Sequence, residues 1–268
     1  GALAVGITLE NLRWETLSGH WEGTLSLAPR QRRTIYVAFA IGLSEAARAD
    51  CLSLLEAGPQ AAAAARAEWR QQAESLFARL PRLEASDARL VRFYHRSLVH
   101  LLLNQWRVPE FVVHPYYSTG GINGGCVCCY LWDFGEPWEL LPLYDPEALK
   151  AHVRQFLSVD ITRHFAWVPT TGEAFGPWYP VNQEKVIFLV YYYVCFTGDT
   201  GFLQEQVAGR RVVDWVLYHA TYRDPVCLPV GLIDYGKGNN HLELRGTYRY
   251  DSYLPDLNGR RYGNLQAA

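Results

Sequence analysis

The sequence predicts a mainly α-helical protein, in which an incomplete α/α toroid follows the last strands of a β-sandwich and a linker helix. Three observations predict this fold. Apolar and polar residues alternate with period two near the start of the chain. The composition then shifts to Ala-rich segments that favour helices. Beyond residue 85, helix patterns alternate with long loops rich in Gly and aromatic residues. Function in such a fold belongs to the loops.

Residues 1–43 have strand patterns. The alternating or β-branched runs are Ile7–Leu12, Trp21–Leu27 and Thr34–Ile41, and Pro29 opens the turn before the last run. Three strands are too few for a stable domain, so we expect them to be the last strands of a larger β-sandwich.

Residues 44–84 have the pattern of linker helices. Ser44 is a helix-capping residue type, and an Ala-rich helix follows the Gly58-Pro59 dipeptide. Gly and Pro disfavour the helix interior, so this dipeptide predicts a break between two helices. Pro81 predicts the end of the second helix.

Residues 85–268 alternate between helices and long loops. Asp145 and Pro146 form a typical helix start, with a capping carboxylate followed by Pro at the first helical position. Val181–Phe196 is apolar on nearly every side, which predicts a helix buried all round. Asp199 or Thr200 is expected to cap the next helix, which carries apolar residues from Phe202 to Val216. A last helix is expected to begin near Pro255.

Composition argues against several partners. The chain has 268 residues and a net charge of −2, with no run of like charges, which argues against nucleic acid or an anionic membrane surface. No stretch reaches about 20 apolar residues, and no signal peptide opens the chain. Met is absent, even at position 1, and the chain stops within a helix pattern. We therefore expect a fragment of a longer protein.

The six cysteines do not have the spacing of a zinc site. We expect them to be small buried residues in a reducing cytoplasm, and we expect neither a metal nor a cofactor.

The segment Cys126–Glu139 is the richest in chemistry. It places two Trp and three carboxylates within the eight residues Trp132–Glu139. Aromatic rings pack on the apolar face of a pyranose, and carboxylates bond sugar hydroxyls or transfer protons. The alternative is structural, with Trp132 filling the core and Asp133 capping a turn.

Five short motifs resemble a known family. They are Tyr130-Leu-Trp-Asp, Gly176-Pro-Trp-Tyr-Pro-Val-Asn, Tyr193-Val-Cys-Phe-Thr-Gly-Asp, Asp234-Tyr-Gly-Lys-Gly-Asn-Asn-His-Leu-Glu and Tyr253-Leu-Pro-Asp-Leu-Asn-Gly. In these motifs and in its layout the chain resembles the six-hairpin, (α/α)6-toroid glycosidases and their phosphorylase relatives. The resemblance covers nearly the whole chain, and it implies carbohydrate as the partner.

The resemblance also implies roles for individual residues. Trp132 and Asp133 would bind hydroxyls of the sugar being cleaved. The general acid would come from the loop in which several relatives have Asp at the place of Asn239 or Asn240. An amide cannot donate a catalytic proton, so the nearest candidate is Glu243, with Asp234 second. The partner carboxylate is expected beyond residue 268.

Glu136 and Trp178 are further candidate sugar contacts, and these two residues and the candidate acid Glu243 each have a structural alternative. Glu136 could be an ordinary first-turn acid, Trp178 could be core packing, and Glu243 could be a buried acid paired with Arg245 or Lys237. The remaining candidate sugar ligands are Asn240 and Asn258.

The sequence therefore predicts a glycoside hydrolase that uses two carboxylates and inverts the anomeric centre. A glycoside phosphorylase, a sugar-binding relative that has lost catalysis and a polysaccharide lyase remain alternatives. The sequence indicates neither the sugar nor the oligomeric state.

Overall fold

A computed structural model describes residues 2–8, 13–15, 20–119, 128–235 and 253–268, without the side chains of 13–15, 20 and 21. The chain divides into two compact units, Gly1–Glu74 and Ser75–Ala268. Its regular structure is mainly α-helical, which confirms the predicted fold class at that level.

The first unit contains two antiparallel strand pairs. Strand β1 (Ala2–Ile7) pairs with β4 (Val37–Gly42), and β2 (Arg13–Glu15) pairs with β3 (His20–Glu22). The strand predicted over Trp21–Leu27 is wrong beyond Glu22, because residues 23–28 have no pairing partner among the described residues. Alternation without a neighbouring strand does not make a sheet.

Helix α1 (Ser44–Arg79) begins at the predicted Ser and stops before Pro81. Gly58 lies outside helical geometry, with φ 41° and ψ −111°, immediately before Pro59. A positive φ is accessible to Gly at little cost, and Pro removes a helical N–H donor. The predicted break is therefore confirmed as a sharp bend.

The second unit is built around one helix. Its helices are α2 (Ala88–Leu103), α3 (Leu131–Gly135), α4 (Leu141–Tyr144), α5 (Pro146–Ser158), α6 (Asn182–Thr197), α7 (Val212–Thr221), α8 (Pro255–Ala267) and the 3₁₀ turns Thr200–Gln204 and Asp224–Val226. Helix α6 packs against α3, α4, α5, α7 and α8. None of the helices in the described ranges is long and apolar enough to cross a membrane.

The starts of two of these helices confirm local predictions. Asp145 accepts a hydrogen bond from the Ala148 amide at 3.2 Å and caps α5, whose first residue is Pro146. Helix α8 begins at Pro255, as predicted.

The predicted helix after Asp199 is wrong in its first half. Asp199 caps only the 3₁₀ turn, accepting from the Phe202 amide at 3.2 Å. A tight hairpin follows, with positive φ at Ala208 (48°) and Gly209 (82°), and the helix begins only at Val212. Left-handed residues cannot continue a right-handed helix, so the apolar residues before Val212 belong to the turn and the hairpin.

The burial predicted for Val181–Phe196 holds for its first half only. Tyr191 and Phe196 are 40% and 46% exposed. The prediction of burial on every side is therefore wrong for the C-terminal half of α6, in which Tyr193 is buried but the other faces are partly or fully exposed.

Short strands connect the loops of the second unit. Strands β5 (Gln105–Trp106) and β6 (Tyr116–Tyr117) pair, as do β10 (Gln206–Val207) and β11 (Arg210–Arg211). A three-stranded sheet consists of β7 (Cys129–Tyr130), β8 (Ala166–Trp167) and β9 (Ala174–Phe175). This last sheet joins the loop before α3 to the loop before α6.

A buried imidazole lies in the core between α3 and α5. His152 is fully buried, with its ring stacked on Phe134 at 4.3 Å. Its Nε2 accepts from the Tyr117 amide at 3.2 Å, so Nδ1 carries the proton and donates to the Ala148 carbonyl at 2.8 Å. Burial lowers the pKa of His152 to about 4, because the charged form would lose its hydration.

Candidate functional site

Residues from several loops meet at one apolar cluster in the second unit, which we call the loop cluster. Trp132 and Trp178, predicted from separate motifs, both pack against it and remain partly exposed. The two candidate sugar-binding rings are therefore held by the same apolar cluster. The buried members of the loop cluster are Cys128, Phe165, Ala166, Tyr179, Val181, Ile233, Tyr235, Leu254 and Leu257.

Stacked rings and one close glycine hold the loop cluster together. Phe165 stacks on Tyr130 at 5.2 Å and on Tyr179 at 4.6 Å. A Cβ at Gly176 would lie 2.2 Å from the Phe165 ring, and Gly176 also has a φ of 71°. The first residue of the Gly176-Pro-Trp motif is therefore required by packing and by backbone geometry.

A buried lysine lies beside the first predicted binding loop. Lys185 is 3% exposed, and its Nζ donates to Glu136 Oε1 at 2.7 Å. The same Nζ lies 4.5 Å from the Trp138 ring centre and 6.0 Å from that of Trp132. A carboxylate and aromatic faces offset the cost of burying this ammonium. Glu136 is therefore held in place by Lys185, while its side chain remains 59% exposed.

The first turn of α6 is polar and buried. Its four residues, Asn182–Lys185, are 0%, 5%, 8% and 3% exposed, although such side chains are rarely buried without partners. Asn182 donates to the His164 carbonyl at 2.8 Å, and Glu184 accepts from Arg260 of α8. Sequence reasoning missed this turn. The signal was a run of polar residues, Asn-Gln-Glu-Lys, at the start of an otherwise apolar helix.

Trp178 lies between an amide and a guanidinium. Its Nε1 donates to Gln183 Oε1 at 3.3 Å, and the Arg223 guanidinium carbon lies 5.4 Å from its ring centre. The guanidinium also lies 5.5 Å from the Tyr235 ring, and its Nη2 donates to the Asp234 carbonyl at 2.9 Å. Asp234 is half-buried and directly precedes Tyr235 of the loop cluster.

Asn258 joins the segment around Asp234 to α8. Its Oδ1 accepts from the Ile233 amide at 2.7 Å, and its Nδ2 donates to the carbonyls of Ile233 and Leu254. Burial raises the pKa of Tyr235 to about 12, so its hydroxyl stays protonated and donates to the Leu257 carbonyl. The Asn258 amide has backbone partners on both its oxygen and its nitrogen, and its role as a sugar ligand stays a prediction.

Trp132 and Asp133 have different surroundings, although they are neighbours in sequence. Asp133 is exposed and lines a cleft of about 240 Å³ with His100, Asn104 and Thr119, among others. Trp132 is not among the residues that line this cleft and packs against the loop cluster. Successive residues of a helix project about 100° apart, which explains the separation.

Burial of the cysteines is confirmed for Cys51, Cys128 and Cys129, which have almost no exposure. The prediction is wrong for Cys195, which is exposed, and Cys227 is half-buried. Cys126 lies outside the described residues. Within the described ranges no group of three or more His, Cys, Asp or Glu side chains is placed to hold a metal ion.

The predicted general acid Glu243 and the predicted sugar ligand Asn240 lie outside the described residues. The described site consists of two partly exposed tryptophans on one apolar cluster, with Glu136 and Asp234 on the neighbouring segments. No family model, no curated protein and no solved structure matches this chain, so sequence and geometry are the grounds for its function.

Proposed function

We propose that this protein is a glycoside hydrolase that cleaves a glycosidic bond in an oligosaccharide or glycoconjugate. One observation carries the proposal: Trp132 of the short helix α3 and Trp178 of the loop before α6 pack against the same apolar cluster. Each remains partly exposed, so each can offer part of its ring to a ligand. Partly exposed aromatic rings with polar groups at their edges suit the apolar faces and hydroxyls of a sugar.

Carboxylates near these rings support the chemistry. The Glu136 carboxylate is held by Lys185 beside Trp132. Asp234 lies near Trp178 through its backbone, because its carbonyl accepts from the Arg223 guanidinium that lies over that ring. Carboxylates in such positions can bind hydroxyls or transfer protons.

The proposed mechanism uses two carboxylates on opposite sides of the bond. Glu243 protonates the leaving oxygen, with Asp234 as the second candidate, and a partner carboxylate activates water. Inversion requires about 6.5–9.5 Å between the two carboxyl groups, which leaves room for that water. A carboxyl group in apolar surroundings has a raised pKa and keeps its proton near neutral pH.

The proposed architecture is the (α/α)6 toroid, preceded by strands of a β-sandwich. The position of α6 supports it, because this helix packs against α3, α4, α5, α7 and α8, as an inner helix would. The β1–β4 pair supports the sandwich.

The first experiment uses the full-length protein and measures hydrolysis of a panel of aryl glycosides and oligosaccharides in both anomeric forms. Glu243→Gln keeps the size of the side chain and removes the acid, so we expect turnover to fall by at least about a hundredfold. Activity within about tenfold of the wild type would rule out Glu243 as the acid. Turnover only with added phosphate would assign a phosphorylase, and an unsaturated product absorbing in the ultraviolet would assign a lyase.

The second experiment tests the stacking role of Trp178. Trp178→Leu is expected to weaken sugar binding by about tenfold, the equivalent of about 1.4 kcal/mol. Trp215→Leu is the matched control, since Trp215 is also half-buried and donates its indole N–H to the Val207 carbonyl at 2.7 Å. Equal effects of the two variants would contradict a stacking role. Binding without turnover would identify a sugar-binding relative.

A further inference from the structure

We propose that Arg223, Gln183 and Trp178 form a subsite for the carboxylate of an acidic sugar, so that the substrate contains a uronic acid residue. This inference rests on the proposed function and specifies the class of substrate. The three side chains are connected through Trp178, which donates to the Gln183 amide oxygen and lies 5.4 Å from the Arg223 guanidinium carbon.

Two buried donors of this group have no acceptor. Within the described part of the chain, neither Gln183 Nε2 nor Arg223 Nε makes a hydrogen bond. Gln183 is 5% exposed. Since Trp178 donates to Oε1, the amide orientation is fixed and Nε2 is the end left without a partner. A buried donor without an acceptor destabilises the site, so a ligand that supplies the acceptor binds more tightly.

Arg223 also has no counterion in the part of the chain that the structure describes. Among the described residues no carboxylate lies within ion-pair distance of its guanidinium, and its one hydrogen bond goes to the Asp234 carbonyl. Aromatic rings of Trp178, Tyr222 and Tyr235 lie 5.4 Å, 5.9 Å and 5.5 Å from the guanidinium carbon. Arg223 is half-buried among these rings, and an ion pair formed there is stronger than one at the open surface.

A carboxylate fits these features better than a hydroxyl does. It has two acceptor oxygens and a negative charge, so it can supply the acceptor that these donors lack and neutralise Arg223. A sugar hydroxyl offers one oxygen and no charge. A uronic acid residue also retains a pyranose ring, which can lie against the exposed part of Trp178.

The test compares matched ligands. Glucuronic and galacturonic acid oligosaccharides are measured beside the same oligosaccharides after reduction of their carboxyl groups to alcohols. Affinity is measured by saturation-transfer NMR and calorimetry at pH 7, and hydrolysis is measured separately. We expect binding of at least one acidic member to be about tenfold or more tighter than that of its reduced partner.

Variants locate the effect in the subsite. Arg223→Met is expected to abolish the preference for the acidic ligand, whereas Arg223→Lys keeps part of it. Gln183→Glu keeps the acceptor for Trp178 and replaces the donor with a negative charge, so it also abolishes the preference. Arg210→Met is the matched control, because the Arg210 guanidinium lies 4.7 Å and 4.6 Å from the rings of Trp215 and Tyr218. Arg210→Met should leave the preference unchanged.

The outcomes separate the subsite from the proposed function. Hydrolysis or binding without a preference for the acidic member would overturn the subsite and leave the hydrolase proposal standing. A preference that survives both Arg223→Met and Gln183→Glu would also overturn the subsite. Tight binding of the acidic ligand without hydrolysis would support the subsite and overturn the hydrolase proposal. If Arg223→Met does not fold, as judged by circular dichroism, Arg223→Lys and Gln183→Glu decide the question.

Discussion

Burial of His152 predicts that the protein loses stability as the pH falls below neutrality. The imidazole is fully buried against Phe134, and its pKa is lowered from 6.5 to about 4. Below pH 6.5 the imidazole of the unfolded chain therefore binds a proton. The imidazole of the folded chain binds this proton only below about pH 4. Stability rises with pH wherever the unfolded state holds more protons, so it falls as the pH drops through this window.

The size of the effect follows from the pKa difference. One pKa unit corresponds to about 1.4 kcal/mol, so His152 alone accounts for about 3 kcal/mol between pH 6.5 and pH 4. His219 is similarly buried, and burial lowers its pKa to about 4 as well. With both histidines the slope approaches about 2.7 kcal/mol per pH unit, of which each contributes half.

Urea unfolding between pH 4 and pH 8, followed by tryptophan fluorescence and circular dichroism, measures this slope. His152→Phe leaves the Tyr117 amide without its acceptor, so it costs about 1–3 kcal/mol at pH 7. This variant should nevertheless reduce by about half the slope of the unfolding free energy against pH on the acid side. Replacing the exposed His100 with Gln controls for the loss of a histidine from the chain. An unchanged slope in His152→Phe would refute burial of the neutral imidazole as the cause.

Two further predictions concern packing around the site. Gly176→Ala should destabilise by about 3 kcal/mol or more, because its Cβ would overlap Phe165, whereas Gly198→Ala has open space and should cost only the 1–2 kcal/mol or so of a left-handed backbone. Thermal unfolding of both variants checks this, and equal losses would contradict the packing argument. Glu136→Gln removes the nearer carboxylate of the buried Lys185 ammonium and leaves only Glu184 at 4.0 Å, so it should cost about 1–3 kcal/mol. Lys185→Met should cost less, and in a double-mutant cycle additive effects would show that the ion pair has no role.

Local signals in the sequence predicted the boundaries of several elements. The bend at Gly58 and the start of α5 at Asp145 and Pro146 were both predicted, because each depends on the backbone preferences of adjacent residues. The prediction of a helix directly after Asp199 was wrong. The spacing of its apolar residues resembled that of a helix, but the positive φ angles of Ala208 and Gly209 turn the chain before Val212.

The sequence by itself determined that the protein is mainly α-helical and identified Trp132 and Trp178 as candidate site residues. Only the tertiary structure decided that both tryptophans contact one apolar cluster and that Lys185 holds Glu136, a residue 49 positions away. Periodicity and capping describe neighbours along the chain, whereas a buried charge is recognised only when its partner is known. For the same reason, the unpartnered donors beside Trp178 could be found only once the chain was folded.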